Sequence, residues 1–231
     1  MYVGKRVTVV IPAYNEEKAI ERTVKDFSKS YVDEIIVVDN NSVDKTAELA
    51  KRAGAKVIRE TRQGYGYALR KGMKEAKGDL IILTEGDATF VGDDMRKLLV
   101  YIEGVDFVLG TRSTGELREK GAKMNWFLSY GNLFLAKLIQ LRFWGHVRLT
   151  DVGCTFRVIR KEALNKIINK FEVGGSEFSP EMIILALKNN IRTVEIPIHY
   201  KVRIGKSKIT SNFWKSFKVG LKMIKIILTR S

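Results

Sequence analysis

Short apolar runs alternate with longer amphipathic stretches through the first half of the chain. The apolar runs, rich in Val, Ile and Leu, predict five strands at Val7–Ile11, Glu34–Val38, Lys56–Ile58, Leu80–Thr84 and Asp106–Leu109. The stretches between them have helical spacing and predict four helices at Glu16–Lys29, Asp44–Ala53, Gly66–Ala76 and Asp93–Ile102. Strands that are apolar throughout are typical of a sheet covered on both faces, so the pattern indicates an α/β fold with a doubly wound, largely parallel sheet.

The second half of the chain is more aromatic and has longer helical stretches, beginning with Met124–Trp144. Two more strands and an intervening helix are predicted at Thr155–Ile159, Thr193–Ile196 and Glu181–Asn189. Asn212–Thr229 predicts a last helix, which its first residue can cap and only Gly220 interrupts. Because there is no repeat and no low-complexity linker, we expect one domain over residues 1–210 and a basic amphipathic C-terminal helix over residues 211–231.

Polar residues that can hold a ligand follow the predicted strands. The first strand runs into Pro12-Ala13-Tyr14-Asn15-Glu16, and the second ends at Asp39, which can accept hydrogen bonds from a base or a ribose. Ligands of open α/β sheets bind beyond the carboxyl ends of the strands, so these residues should share one edge. No G-x-G-x-x-G follows the first strand, which argues against a dinucleotide-dependent dehydrogenase.

The fourth strand ends at two carboxylates, Glu85 and Asp87, separated by Gly86. Acids beyond a buried apolar strand are costly unless they bind something. Mg²⁺ or Mn²⁺ bridging a diphosphate is the natural occupant, because carboxylate and phosphate oxygens are the ligands these ions prefer. A turn with solvated acids is the alternative that this motif alone leaves open.

The chain carries an excess of positive charge, which bears on the kind of molecule that it binds. The 41 Lys and Arg exceed the 26 Asp and Glu by 15, and no acidic residue follows Glu195. Such a tail indicates an anionic partner, either nucleic acid, acidic lipid or a phosphorylated substrate, with a merely solvated surface as the alternative. No recognisable nucleic-acid motif accompanies the charge, so we expect no nucleic-acid partner.

In their order along the chain, these strand ends resemble those of family 2 glycosyltransferases, whose nucleotide-sugar-binding fold is called GT-A. The resemblance extends from Val7 to about Lys208 and implies a metal-dependent hexosyltransferase that uses Mg²⁺ or Mn²⁺. The residues that it assigns to the nucleotide sugar are Pro12, Ala13, Tyr14, Glu16, Asp39, Asn41, Gly64, Gly66, Glu85 and Gly86. It assigns Asp87 and Glu85 to the metal; Glu85 stands where the family usually has Asp, which leaves Asp87 as the main expected ligand.

Motifs of the second half are similar to those of enzymes that glycosylate polyprenyl phosphates, such as the dolichyl-phosphate mannose synthases. These motifs are Gly110-Thr111-Arg112, Thr150–Arg157, Pro197 and Arg203–Lys208. The resemblance implies that Arg112 and Arg203 hold the acceptor phosphate or the donor diphosphate, a task that suits the forked guanidinium group. Ser207 and Lys208 would lie nearby. The expected reaction is inverting transfer of a sugar from a UDP-hexose or GDP-mannose to polyprenyl or dolichyl phosphate.

The acceptor decides whether a general base is needed. A phosphate monoester is already largely ionised at pH 7 and needs none, so catalysis would be electrostatic and positional. A sugar hydroxyl in polysaccharide or glycan synthesis would need a carboxylate base, for which Asp151 is the candidate ahead of Asp87. Alternatively, Asp151 is a loop acid paired with Arg157 or Arg148. A nucleotide-sugar-binding module without catalysis is a further alternative.

The last predicted helix has the pattern of a membrane-surface helix. Its basic sector and the apolar band beside it consist of Lys215, Lys218, Lys222 and Lys225, and of Trp214, Phe217, Leu221, Ile224 and Leu228. This pairing favours an anionic membrane surface, with packing on the protein's own core or on a second subunit as the alternative. No apolar run approaches the roughly 20 residues of a spanning helix, and a lone cysteine, Cys154, fits a reducing compartment. We expect a cytoplasmic protein at the inner face of the cell membrane, with a separate membrane-anchoring subunit or a homo-oligomer.

Overall fold

A computed structural model describes residues 1–122, 126–205 and 213–230. The strands in this part of the chain are β1 (Val7–Ala13), β2 (Glu34–Asp39), β3 (Lys56–Arg59), β4 (Leu80–Leu83), β5 (Phe107–Thr111), β6 (Arg157–Arg160) and β7 (Thr193–Pro197). The α-helices are α1 (Ile20–Phe27), α2 (Thr46–Arg52), α3 (Tyr65–Glu75), α4 (Met95–Tyr101), α5 (Trp126–Arg142), α6 (Lys161–Asn165), α7 (Phe178–Lys188) and α8 (Phe213–Thr229).

The strands form one sheet in the order β3-β2-β1-β4-β6-β5-β7. All neighbours are parallel except β6, which runs antiparallel to both β4 and β5. The carboxyl ends of β1, β2 and β4 therefore lie at one edge, with Ala13 paired opposite Asp39 and Val10 opposite Leu83. Because β6 is reversed, its first residue, Arg157, pairs with Leu83 and brings the preceding loop to the same edge. The predicted α/β fold with a largely parallel sheet is confirmed.

Successive side chains of the central strands face two separate cores. Val9 and Ile11 pack toward α1, α2 and α4, whereas Val10 packs toward α3 and α7, and all three are fully buried. Alternation between two apolar layers is the reason that β1 has no polar face, since side chains of a strand point to opposite sides of the sheet.

Two of the helix starts differ from the sequence prediction by three residues or more. α1 begins at Ile20 rather than Glu16, because the chain first makes a turn in which the Ile20 amide donates to the Glu16 carbonyl at 2.9 Å. α7 begins at Phe178, three residues before the predicted start at Glu181. Glu181 lies in the first turn of α7 as a buried acid whose Oε1 accepts the Glu172 amide at 2.9 Å. The short helix α6 was not predicted.

The C-terminal helix α8 packs on α5 and α7. Met223 and Ile227 are buried in the core, and Arg230 just after the helix pairs with Glu181 and Glu172. The predicted apolar band lies mostly on another face: Trp214, Phe217, Leu221 and Leu228 are exposed. None of the helices in the described ranges has the length and apolar character needed to cross a membrane. The predicted boundary between residues 210 and 211 falls outside the described residues.

Candidate active site

A cavity of about 1100 Å³ opens at the edge where β1, β2 and β4 end, and it continues between α5 and α8. Predicted site residues that line it are Pro12, Ala13, Tyr14, Glu16, Gly64, Glu85, Gly86, Asp87, Arg112 and Arg203. Four other predicted residues are not among the described lining residues: Asp39, Asn41, Gly66 and Asp151. The structure thus brings most of the predicted residues of both halves to one cavity.

The turns after β1 and β2 are bonded to each other. Asn15 adopts a left-handed backbone (φ 52°), its amide donates to Ser42 Oγ at 3.0 Å, and its Oδ1 accepts the Val43 amide at 2.9 Å. The Glu16 amide donates to Thr46 Oγ1 at 2.8 Å. These bonds fix the direction of the chain at Tyr14 and Glu16, because a residue at positive φ persists only where its surroundings hold it.

Asp39 and the residues after it hold the wall of the cavity in place. Asp39 Oδ1 accepts the Ser42 amide at 3.1 Å, and Asn41 Nδ2 donates to the Thr61 carbonyl at 2.6 Å. Asn40 makes three hydrogen bonds to the backbone of the loop after β3. Its Nδ2 donates to the carbonyls of Glu60 (2.9 Å) and Arg62 (2.8 Å), and its Oδ1 accepts the Gly64 amide at 2.7 Å. Asn40 lines the cavity as a brace for the loop after β3, a role that the sequence did not reveal.

The glycines of Gly64-Tyr65-Gly66 allow another segment of backbone to approach closely. Gly64 has φ 154°, and a Cβ there would lie 2.3 Å from the Gly174 carbonyl oxygen. The Gly66 amide donates to that same oxygen at 2.8 Å. The amino end of α3 is therefore closed by protein backbone, and Gly66 supports the cavity wall from behind.

Glu85 and Asp87 lie at the base of the cavity, after β4. Glu85 Oε1 accepts the Thr155 hydroxyl at 2.7 Å. Asp87 Oδ1 accepts the Thr89 amide at 3.1 Å and its hydroxyl at 2.6 Å, across a turn in which Ala88 has φ 61°. Burial and, after it, the charge of Asp87 raise the pKa of Glu85 to about 8, so this acid holds a proton at neutral pH.

Arg203, in the loop after β7, reaches Asp87 and also Glu16. Its Nη1 donates to Asp87 Oδ2 at 2.7 Å, and its Nη2 donates to Glu16 Oε1. The side chains of Glu16 and Asp87 are 12% and 3% exposed, so the pairs are largely shielded from water. Ser207 and Lys208, predicted to lie near Arg203, fall outside the described residues.

Asp151 pairs with Arg112 rather than with Arg157 or Arg148. Arg112 donates from Nε to Asp151 Oδ2 at 2.7 Å and from Nη2 to Oδ1 at 2.8 Å. Burial by itself would raise the pKa of Asp151, but the Arg112 charge outweighs it and holds the pKa below its usual range. Arg157 is buried and donates to three backbone carbonyls, those of Val152, Cys154 and Ser179.

Glu195 in β7 holds this ion pair from behind. Its Oε2 accepts the Thr150 amide at 2.8 Å and the Thr150 hydroxyl at 2.6 Å, and its Oε1 accepts the Asp151 amide at 3.0 Å. On the cavity side, the Arg112 guanidinium lies 5.3 Å from the centre of the Tyr200 ring. Sequence reasoning missed Glu195, Tyr200 and Thr155, although Glu195 is the only acid in β7 and Tyr200 follows that strand's carboxyl end.

Glu85 and Asp87 fit a divalent cation by their chemistry. Both are carboxylates at the base of the same cavity, and Mg²⁺ and Mn²⁺ take one or two such groups together with phosphate oxygens. Within the described ranges, no cluster of three or more His, Cys, Asp or Glu could enclose a metal.

Comparisons with known proteins point to one family, the glycosyltransferases. Residues 8–168 match the model described as glycosyl transferase family 2. An uncharacterised protein of Methanocaldococcus jannaschii is 34% identical over 229 residues, covering 94% of this chain and 90% of that protein. The dolichyl-phosphate hexose transferase of Haloferax volcanii is 30% identical over 231 residues, covering 98% and 96%.

Among solved structures, glucosyl-3-phosphoglycerate synthase from Mycobacterium tuberculosis, crystallised with Mn²⁺, uridine diphosphate and glucosyl-3-phosphoglycerate, has a similar fold. The TM-score is 0.74 at 20% sequence identity, and the match covers 98% of this chain and 80% of that one. At this identity the likeness concerns the fold, which is GT-A.

We predict that Asp151→Asn destabilises the protein by about 3–5 kcal/mol, because it leaves the buried Arg112 charge uncompensated. Asp106→Asn is the matched control. Its nearer partner Arg192 is 65% exposed, and Arg160, 3.7 Å away, keeps its own bonds to backbone carbonyls, so the loss should be about 1 kcal/mol or less. Urea unfolding of both variants at pH 7 measures the difference. Equal losses in the two variants would contradict the structural role of the Arg112–Asp151 pair.

We predict that Glu85 makes the protein less stable as pH rises. Its folded pKa of about 8 lies above the usual value of 4.5, so the folded state holds an extra proton that is lost as pH rises through 8. Glu85→Gln should therefore change the free energy of unfolding little at pH 5 and increase it by roughly a few kcal/mol at pH 9. Urea unfolding in EDTA at both pH values tests this, with exposed Glu75→Gln as the control. A Glu85→Gln effect that is the same at both pH values would refute the prediction.

Proposed function

The chain belongs to glycosyl transferase family 2, and from that premise we propose that it moves a hexose from a nucleotide sugar to a polyprenyl phosphate at a membrane surface. Glycosyltransferase activity follows from the family. The nucleotide-sugar donor, the lipid phosphate acceptor, the divalent cation and the membrane are the proposed parts.

The shape of the cavity carries the proposal for the acceptor. Its polar end holds Glu16, Glu85 and Asp87, and the same cavity continues along an apolar cleft between α5 and α8. The apolar part is lined by Leu128 and Leu135 of α5, and by Phe217, Val219, Leu221, Met223 and Ile224 of α8. A charged head and a long apolar tail are the two parts of a polyprenyl phosphate. The Haloferax volcanii relative is named for transfer of hexose to dolichyl phosphate.

The polar end of the cavity is the proposed site of the nucleotide-sugar donor. In the M. tuberculosis synthase, which shares the fold, uridine diphosphate and Mn²⁺ are bound. In this chain, Tyr14 would meet the nucleoside, and Asp87 with Glu85 would hold Mg²⁺ or Mn²⁺. Asp39 is buried beside the cavity and would hold the turn after β2. The cation, when bound, supplies positive charge that stabilises the leaving diphosphate. Arg112 is oriented by Asp151 at the cavity wall, where its charge can hold a phosphate group.

The state of Asp151 favours a phosphate acceptor over a hydroxyl acceptor. The Asp151 side chain is 0% exposed, both of its oxygens accept from Arg112, and its pKa is lowered. A general base must reach the proton that it removes and should titrate near the working pH. Asp151 meets neither condition in this structure. A phosphate acceptor is ionised at pH 7 and needs no such base.

The exposed faces of α5 and α8 support action at a membrane. Large apolar side chains exposed on these helices are Tyr130, Phe134, Leu141, Trp214, Phe217, Leu221 and Leu228, and Trp144 is exposed just after α5. Lys218, Lys222 and Lys225 are exposed on the same helix α8. Apolar side chains flanked by lysines are typical of helices that lie in the headgroup region of anionic bilayers, so we propose the cytoplasmic membrane face as the site of action.

We predict transfer of radiolabelled sugar from UDP-glucose or GDP-mannose into organic-extractable polyprenyl phosphate in the presence of Mn²⁺ or Mg²⁺. The transfer should be abolished by EDTA and reduced about 100-fold or more by Asp87→Asn, since one electrostatic contact to the leaving group contributes at that level. Asp106→Asn should keep full activity. If donor is hydrolysed and the lipid stays unlabelled while a glycan becomes labelled, the acceptor is a hydroxyl and the lipid proposal is wrong.

We predict that the protein binds anionic phospholipid vesicles and that changing Lys218, Lys222 and Lys225 together to Gln weakens this binding on the order of 100-fold. Each lysine near an anionic surface contributes about 1 kcal/mol. Co-sedimentation with vesicles with and without phosphatidylserine measures the effect. The matched control changes Lys18, Lys45 and Lys51 on the α1–α2 face. An equal loss in both triple variants would mean that net charge, rather than α8, is responsible.

A further inference from the structure

Arg203 occupies the position at Asp87 that a cation would need. Asp87 Oδ1 is already used by the amide and hydroxyl of Thr89, which leaves Oδ2 as the oxygen that faces another partner. That oxygen accepts Nη1 of Arg203 at 2.7 Å, and the other arm of the guanidinium binds Glu16. In the structure, a guanidinium group therefore satisfies both acids.

Backbone hydrogen bonds position Arg203 there. The Lys201 amide donates to the Thr89 carbonyl at 2.8 Å, and the Ile204 amide donates to the Asp87 carbonyl at 3.1 Å. The loop after β7 is thus paired along the Asp87–Thr89 turn on both sides of Arg203. This pairing brings the arginine to Asp87 across 116 residues of sequence.

Part of the Arg203 guanidinium is left unsatisfied by these contacts. Its Nε–H is buried and has no hydrogen-bond partner among the described residues. A buried donor without a partner costs free energy, and an arginine beside an anion site would regain that energy by binding phosphate oxygens. The guanidinium is therefore better suited to a state in which a phosphate group is present.

We propose that Arg203 is a displaceable counter-ion: it keeps a bare divalent cation away from Asp87 and moves to the diphosphate when cation and nucleotide arrive together. Its positive charge competes with a lone cation for Glu16 and Asp87, and the two cations also repel each other. A diphosphate offers Arg203 new acceptors, so releasing Asp87 no longer leaves the guanidinium unpaired. This inference rests on the proposed nucleotide-sugar donor.

Such an exchange makes cation binding and nucleotide binding cooperative. Whatever factor the nucleotide adds to cation affinity, the cation adds to nucleotide affinity, and couplings between sites typically amount to about 5- to 150-fold. Removing Arg203 should raise affinity for the cation alone and lower the coupling. A residue that only contacts phosphate would lower nucleotide affinity and leave the affinity for the cation alone unchanged.

The test is Mn²⁺ binding to the purified 231-residue chain, followed by electron paramagnetic resonance, with and without UDP or GDP. We expect Arg203→Met to bind Mn²⁺ alone about 5-fold or more tightly than the wild-type protein, with the nucleotide-dependent gain reduced by a similar factor. Arg203→Lys keeps a charge but lacks the fork, so it should lie between the two. Unchanged or weaker binding of Mn²⁺ alone in Arg203→Met would overturn the proposal.

Two controls connect the effect to this site. Arg192→Met removes an exposed arginine and should leave Mn²⁺ binding unchanged, and Asp87→Asn combined with Arg203→Met should lose the gained affinity. Circular dichroism of each variant confirms folding, with Arg203→Lys as the conservative variant if Arg203→Met fails to fold. If neither nucleotide binds and Arg203→Met still gains affinity for Mn²⁺ alone, Arg203 is the occupant of the cation site and the proposed donor is wrong.

Discussion

Carboxylates that lie beyond the end of a doubly covered sheet must be compensated, and the arrangement of the site follows from this requirement. The sheet needs apolar strands because helices cover both of its faces, so its acids are placed where the strands stop. There they are still poorly hydrated, and an uncompensated charge in such surroundings costs several kcal/mol. The structure meets this cost differently for each acid: Asp151 has a forked arginine, Asp87 and Glu16 share Arg203, and Glu85 keeps its proton.

The reversed strand β6 makes this compensation possible. Inserted between β4 and β5 and antiparallel to both, it begins at the edge where β4 ends. The loop that leads into β6 therefore lies beside Glu85, and the Thr155 hydroxyl of this loop donates to Glu85 Oε1. The same loop carries Asp151, which orients Arg112 at the end of β5. A parallel strand at this position would have delivered that loop to the opposite edge of the sheet.

How much could be predicted from the sequence follows from the range of the interactions involved. Local periodicity predicted the seven strands of the described residues, with each end within about two residues of its observed position. This was possible because a strand that is buried on both faces consists of apolar residues, which can be recognised in its own sequence. Ligands of open α/β sheets bind beyond the carboxyl ends of the strands, and this rule predicted that Tyr14, Glu85 and Asp87 would lie at one cavity. The direction of β6 and the partners Arg203–Asp87 and Arg112–Asp151 could not be predicted, since they depend on strand order over 116 and 39 residues of sequence. Asn40 is a similar case, because its role depends on a loop 20 residues later.

The two arginines of the site differ in how easily they can be released. Arg112 is bound bidentately to an acid with 0% exposed side chain, and Glu195 fixes that acid's backbone, so separating the pair would leave two buried charges. Arg203 is 25% exposed, contacts each of its two acids through one nitrogen, and has no partner for Nε within the part of the chain that the structure describes. Arg112 is therefore a fixed charge that can orient a phosphate without moving, whereas Arg203 can change partners at lower cost. The proposed reaction would bring a cation, a diphosphate and an acceptor into one cavity and would use both arginines, because the fixed charge of Arg112 sets position and the movable charge of Arg203 allows exchange.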